Sequence, residues 1–268
     1  MASDNEFRIR SGLLKDFIKE ITYRNRNPRN TKALELIEDF STNPETLILK
    51  GCQLYRARII KSGSSIKVGN GFYGFGSKDS FIPDKKKTRD MRANYRYIPY
   101  LYCATSRYIA LAEVRPRLGA KVSIATILVN EDIRLLDFTN KNMPTKMTQT
   151  KVNLFNDISL LFSKPIAEDD DISDYIPTQF IAEYAKNLGY DGIAFKSSVV
   201  PEINRTHPEQ FNVVVFNHKK CEPIKSNVYT PSANYFDCIQ IDDDPVRTPI
   251  KSLPSMQINE IRNKLKEI

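Results

Sequence analysis

Histidine is nearly absent from this chain, and the chemistries that depend on it go with it. Only His207 and His218 occur in 268 residues, and there is no tryptophan. No HExxH pair, GxSxG elbow, Walker A loop or CxxC pair is present. These absences argue against zinc-protease, α/β-hydrolase, P-loop and paired-cysteine metal chemistry, and no metal site is expected. Cysteine is scarce too: Cys52, Cys103, Cys221 and Cys238 lie far apart. With no secretory-type apolar stretch in MASDNEFRIR, they predict free thiols in a reducing, cytoplasmic setting. Apolar runs are all broken by charges, well short of the roughly 18 residues a membrane span requires, so a soluble chain with no membrane partner is expected.

Glycine is also sparse, with ten residues, yet GNGFYG (69–74) satisfies the pattern GxGxxG. Its context does not fit a dinucleotide fold, because no apolar-periodic helix follows and Pro83 and a lysine run come next. It reads as an aromatic-tipped loop within a Gly/Ser/Lys-rich stretch over 61–90.

Positive charge and tyrosine are what the chain has in excess. A net charge of +8 favours an anionic partner such as a nucleotide, a nucleic acid or an acidic protein. Two basic clusters, Arg24 to Arg29 and Lys85 to Arg89, read by default as solvated loops.

Periodicity predicts a helix with Leu13, Leu14, Phe17, Ile18 and Ile21 inward, and a second over 31–40. Alternation begins near Leu47, and QLYRARII puts Tyr55, Ala57 and Ile59 on one face and Arg56 and Arg58 on the other. Thr105 or Ser106 caps a helix, RYIALAEV, that Pro116 ends. VSIATILV (122–129) reads as a buried strand, AEDDDISD (167–174) as an acidic linker, and TQFIAEYAKNLG as a helix stopped by Gly189. GIAF and NVVVF are short strands joined by a loop carrying His207. The stretch from Cys221 to Pro254 reads as irregular, and Met256–Ile268 as a terminal helix. The expected organisation is a helical appendage (1–46), a catalytic domain (47–220) and a tail (221–268). Strands and helices are mixed, without a regular βαβ repeat, so the class is α/β in the broad, mixed α+β sense.

With histidine nearly gone, Arg, Tyr, Glu and Ser remain to carry chemistry. Glu113 stands between Ala112 and Val114 in an otherwise apolar helix, where burying an unpaired carboxylate is costly. Either it faces solvent, or it points into a cleft lined by Arg56 and Arg92 with tyrosines as stacking surfaces. Such a cleft suits cleavage of a nicotinamide N-glycosidic bond. The leaving nicotinamide is already cationic and needs no general acid, while the oxocarbenium-like transition state gains from one carboxylate near the ribose. Arginines suit the pyrophosphate and tyrosine rings the base faces.

Four segments then resemble the RES domain family. They are Tyr55, Arg56 and Ala57 on a strand; Arg92-Ala-Asn94, with Tyr102 of a Leu-Tyr-x-Ala segment ten residues after Arg92; Ala-Leu-x-Glu-Val with Glu113 eleven residues beyond Tyr102; and Asp191-Gly-Ile followed by Ser197, Ser198 and Asn212 to Phe216. The resemblance implies a compact fold similar to ADP-ribosyltransferases, a split β-sheet core with surrounding helices. It implies NAD as substrate rather than cofactor, consumed by hydrolysis or phosphorolysis by a toxin with an antitoxin protein as partner. By position, Glu113, Arg92 and Tyr102 would be catalytic, and Arg56, Asn94, Ser197, Ser198 and Asn212 would bind substrate. Lys196 stands where the family commonly has proline, leaving Ser197 and Ser198 as alternatives, and KDSFIPDKKKTRDM enlarges the run before Arg92. The N-terminal helices and the tail fall outside the resemblance and are open to self-association or partner binding. Two further readings stay open: mono-ADP-ribosyl transfer to a macromolecule, and a non-catalytic RNA-binding module using the Tyr- and Arg-rich 92–108 stretch.

Overall fold

The computed structural model describes residues 9–29, 31–39, 45–61, 67–68, 72–139, 141, 146–164, 172–200 and 210–231. Helix α1 (Gly12–Tyr23) begins where the Ser11 hydroxyl accepts the Leu14 N–H at 3.2 Å, and it buries Leu14, Phe17 and Ile21 at helical spacing. Thr31 caps α2 (Lys32–Glu38) in the same way. Strands β1 (Glu45–Ile48) and β2 (Gln53–Ile59) follow, then a small hairpin of β3 (Lys67–Val68) and β4 (Phe72–Tyr73). Beyond it come β5 (Leu101–Ala104), α3 (Arg107–Glu113), β6 (Val122–Val129), β7 (Ile133–Asp137), α4 (Gln149–Ser163) and α5 (Ile176–Asn187). The described part closes with β8 (Gly192–Phe195), β9 (Asn212–Val215) and β10 (Cys221–Tyr229). Helix α5 stops at Gly189 (φ 87°), where the N–H groups of Gly189 and Tyr190 donate to the carbonyls of Lys186 and Ala185. That is the paired closure a left-handed glycine permits.

The fold is mixed α+β, with one sheet in the order β1-β7-β8-β9-β5-β2-β6-β10. Among the described strands only β7 and β8 pair in parallel. The ladder is not equally tight across the sheet. β6 pairs with β2 through seven residues, whereas β2 and β5 share a single pair, Tyr55 with Ala104. The sheet is therefore split between β5 and β2. On the other side of β5, strands β9 and β8 are held close. A Cβ at Gly192 would lie 2.2 Å from the Val214 carbonyl oxygen and 2.8 Å from the Leu135 side chain, so only glycine fits.

Strand alternation divides the core into two layers. Leu136, Ile193, Phe195 and Val214 pack with α1, α2, α4 and α5 on one face. Leu135, Ala194, Val213 and Val215 pack with Leu54, Leu101 and Ile127 on the other.

Several sequence expectations change here. The N-terminal helices are no appendage, because Leu14, Phe17, Leu34 and Ile37 belong to the same core cluster as Phe155 and Ile193. The boundary expected at 220/221 falls just before an edge strand: Cys221–Tyr229 pairs along β6 and is not irregular. Helix α4 was not anticipated. The loop expected over 61–90 contains the β3–β4 hairpin and a 3-10 turn, Lys85–Lys87. The expected terminal helix, His207 and most of the acidic stretch lie outside the described residues. Among the described residues no helix is long and apolar enough to cross a membrane, and no group of His, Cys, Asp and Glu could hold a metal ion.

Candidate active site

The carboxylate of Glu113 lies where the split opens. Ser106 caps α3, accepting the Ile109 N–H at 3.2 Å, and the helix buries Ile109 and Ala110. Glu113 follows these by four and three residues and so lies on the same inward stripe. It is nevertheless exposed, because the stripe runs past the core into a cavity of about 430 Å³. The two readings of Glu113 thus merge: it is solvent-accessible, and it lines a cleft.

Two side chains converge on one of its oxygens. Ser197 Oγ donates to Glu113 Oε1 at 2.6 Å, and Asn212 Nδ2 donates to the same oxygen at 2.7 Å. The Ser197 hydroxyl also accepts the Val199 N–H at 3.3 Å, which leaves its one proton for the carboxylate. Ser197 is the serine that holds Glu113, while Ser198 lines the cavity. Among the described residues Oε2 takes no hydrogen bond and is left for a ligand. Asn212 opens β9, and Ser197 follows the end of the adjacent β8.

Opposite them, residues 89–95 are fastened from beneath. Asn94 is buried: its amide donates to the carbonyls of Arg89 and Tyr95, and its Oδ1 accepts the Tyr102 hydroxyl at 2.7 Å. Gln179 of α5 donates to the carbonyls of Met91 and Asn94. Asn94 does not line the cavity and stands as a positioning residue for the turn beside Arg92, where the sequence suggested a substrate contact. Arg92 lines the cavity, donates to the Leu161 carbonyl at 3.2 Å and lies 5.3 Å above the Tyr175 ring. Tyr102 lines the cavity. Burial pushes its phenol pKa up, so it stays protonated.

Arg56 lines the cavity from β2 and donates to the Ser80 carbonyl at 2.8 Å. Desolvation lowers its pKa from the ordinary value. A guanidinium that meets a carbonyl rather than a carboxylate is poised for an anion. The sequence reading missed Phe162, Lys164 and Arg115, which also line the cavity. Phe162 and Lys164 lie at the unanticipated end of α4, and Arg115 follows α3 in a turn that the sequence pattern does not single out.

A split mixed sheet thus brings one carboxylate with two side-chain donors, the buried Arg92 and the half-buried Arg56 to a single concave cavity. The chain belongs to the RES domain family, whose model matches residues 71–235. The match holds Arg92, Tyr102, Glu113, Ser197 and Asn212, and it begins after the strand that carries Arg56. A search of curated proteins finds no match. Among solved structures the chain is similar to one chain of the M. tuberculosis MbcT–MbcA toxin–antitoxin complex, at 15% identity and a TM-score of 0.40, covering 75% of this chain and 94% of that one.

Proposed function

We propose that the protein cleaves the nicotinamide–ribose bond of NAD, as a glycohydrolase or phosphorylase. The observation that carries this reading is the half-occupied carboxylate: Glu113 Oε1 is fixed by Ser197 and Asn212, while Oε2 takes no hydrogen bond from the described residues. As the N-glycosidic bond breaks, its electron pair leaves on the nicotinamide nitrogen and neutralises that cation. Positive charge then gathers on the ribose C1′ and ring oxygen, where a fixed carboxylate is most stabilising. An oxygen of water or phosphate bonds to C1′, and when water attacks one proton is released. Arg56 and Arg92 supply cations for the pyrophosphate. Tyr102, with Phe162 and Phe195 stacked at 5.4 Å, offers an aromatic wall to the base. In this reading the chain depletes cellular NAD as a toxin restrained by an antitoxin protein.

The test is to incubate the purified protein with NAD, with and without phosphate, and identify products by mass spectrometry beside Glu113→Gln. Glutamine keeps a carbonyl oxygen for both donors and loses only the charge. Nicotinamide with ADP-ribose means hydrolysis; a phosphate-dependent ADP-ribose phosphate means phosphorolysis. Intact NAD with the wild type, or full activity in Glu113→Gln, overturns the proposal.

A further inference from the structure

We infer that Arg115 and Lys164 form a phosphoryl-binding rim on the cavity and act as positioning residues for the anionic part of the substrate. This deepens the proposed function and rests on it. Both side chains line the cavity that holds Glu113, from different elements: Arg115 just past the end of α3, and Lys164 just past the end of α4. With Arg56 and Arg92 they bring four cations to a cavity whose lining includes one carboxylate. That imbalance calls for an anion, and a dinucleotide's pyrophosphate or a free phosphate has the required chemistry.

The backbone at Arg115 is the second, independent observation. Its φ is 45°, in the left-handed region that disfavours any residue with a Cβ, and only one other non-glycine described residue, Tyr97, has positive φ. The Arg115 N–H donates to the Ala112 carbonyl at 2.9 Å, and Pro116 follows. Glycine would satisfy this turn with no penalty, yet an arginine stands there with its side chain on the cavity. Strain of this kind clusters where a side chain must be presented to a ligand. The arginine is not there to pair with a neighbour, because it forms no ion pair with Glu113 or any other described residue. Lys164 lies 3.9 Å from Asp174, a solvent-exposed contact that holds it weakly.

The backbone conformation also supplies the control. Arg115→Gly removes the guanidinium and relieves the left-handed turn, so the melting temperature should stay the same or rise while ligand binding weakens. In the full chain we expect Arg115→Gly and Lys164→Ala each to raise the KM for NAD roughly tenfold, with kcat within about threefold of wild type. Arg115→Lys should recover part of the loss. Assays over a phosphate range tell the two sources apart: a raised KM for NAD without phosphate assigns the rim to the pyrophosphate, and a raised KM for phosphate alone assigns it to the attacking anion. Unchanged values for both overturn the rim.

Calorimetry with ADP-ribose and with inorganic phosphate separates this inference from the catalytic one. If the wild type leaves NAD intact but binds either probe, and Arg115→Gly binds it about tenfold more weakly, the rim stands and the catalytic reading falls. If NAD is cleaved and neither KM nor probe binding changes in the variants, the rim falls and the catalytic reading stands.

Discussion

Asp157 and Glu113 each take two hydrogen bonds on a single carboxylate oxygen, and the resemblance ends there. Asp157, in the middle of α4, is 3% exposed, and its Oδ2 accepts the backbone N–H groups of Arg10 and Ser11 at 2.7 and 2.6 Å. Those donors sit at the amino end of α1, where the helix dipole favours negative charge. Glu113 is exposed, and its donors are side chains, Asn212 at the start of β9 and Ser197 in the loop just after β8. Backbone donors and burial make a joint. Side-chain donors beside a cavity make a carboxylate that is aimed but still accessible, so hydrogen-bond number alone does not distinguish structural acids from reactive ones.

Exchanging each acid for its amide should break the two regions in opposite ways. Glu113→Gln should lower NAD cleavage by about 10³-fold or more while the melting temperature holds within ~2 °C. Asp157→Asn should do the reverse, costing about 2 kcal/mol of stability, or ~5 °C, with kcat per folded molecule unchanged. Thermal melts beside NAD assays check both, and matching profiles for the two variants would abolish the distinction. A smaller effect sharpens it: Ser197→Ala and Asn212→Ala should each reduce kcat roughly 10- to 100-fold. Because both donors serve one oxygen, the double variant should lose less than the product of the singles.

The smallest expected effect lies far from either acid. Cys103 and Cys221 are buried, and burial pushes both thiols up, Cys221 to about 11. The folded chain then keeps protons that the unfolded chain releases, so stability should fall as pH rises from about 9 towards 11. A denaturant midpoint that falls less over that range in Cys221→Val than in wild type would show it. Exposed Cys52 should be alkylated well before either buried thiol in the native protein.

The sequence revealed the site more readily than it revealed the elements that frame it. Strands β2, β6, β8 and β9 and helix α3 were legible because apolar pattern and caps agree over 53–59, 106–113, 122–129, 192–195 and 212–215. Helix α4 escaped because its buried face includes Lys151, Asp157 and Ser159, which blur the 3.6-residue stripe. Strand β10 escaped because it is a solvated edge strand with Pro223 and a register shift near it, where alternation is weak. Glu113, Arg56 and Arg92 could be named from the residue pattern, and Asn212 from the family resemblance. The choice of Ser197 over Ser198, and the inward turn of Asn94, depend on hydrogen bonds across a distance of eight or more residues and left no local pattern.

Gly192 extends the site to a position outside the cavity lining. Its missing side chain lets the Val214 carbonyl approach, and the two strands thus brought together lead to Ser197 on one and begin with Asn212 on the other. The spacing of the two donors is therefore set by an absence five residues upstream of the serine. In a screen for loss of the proposed NAD cleavage, substitutions at 192 would be recovered alongside those at 113. The former would act twice, lowering how much folded protein accumulates and slowing what does fold, because a Cβ at 192 displaces the strands that carry both donors.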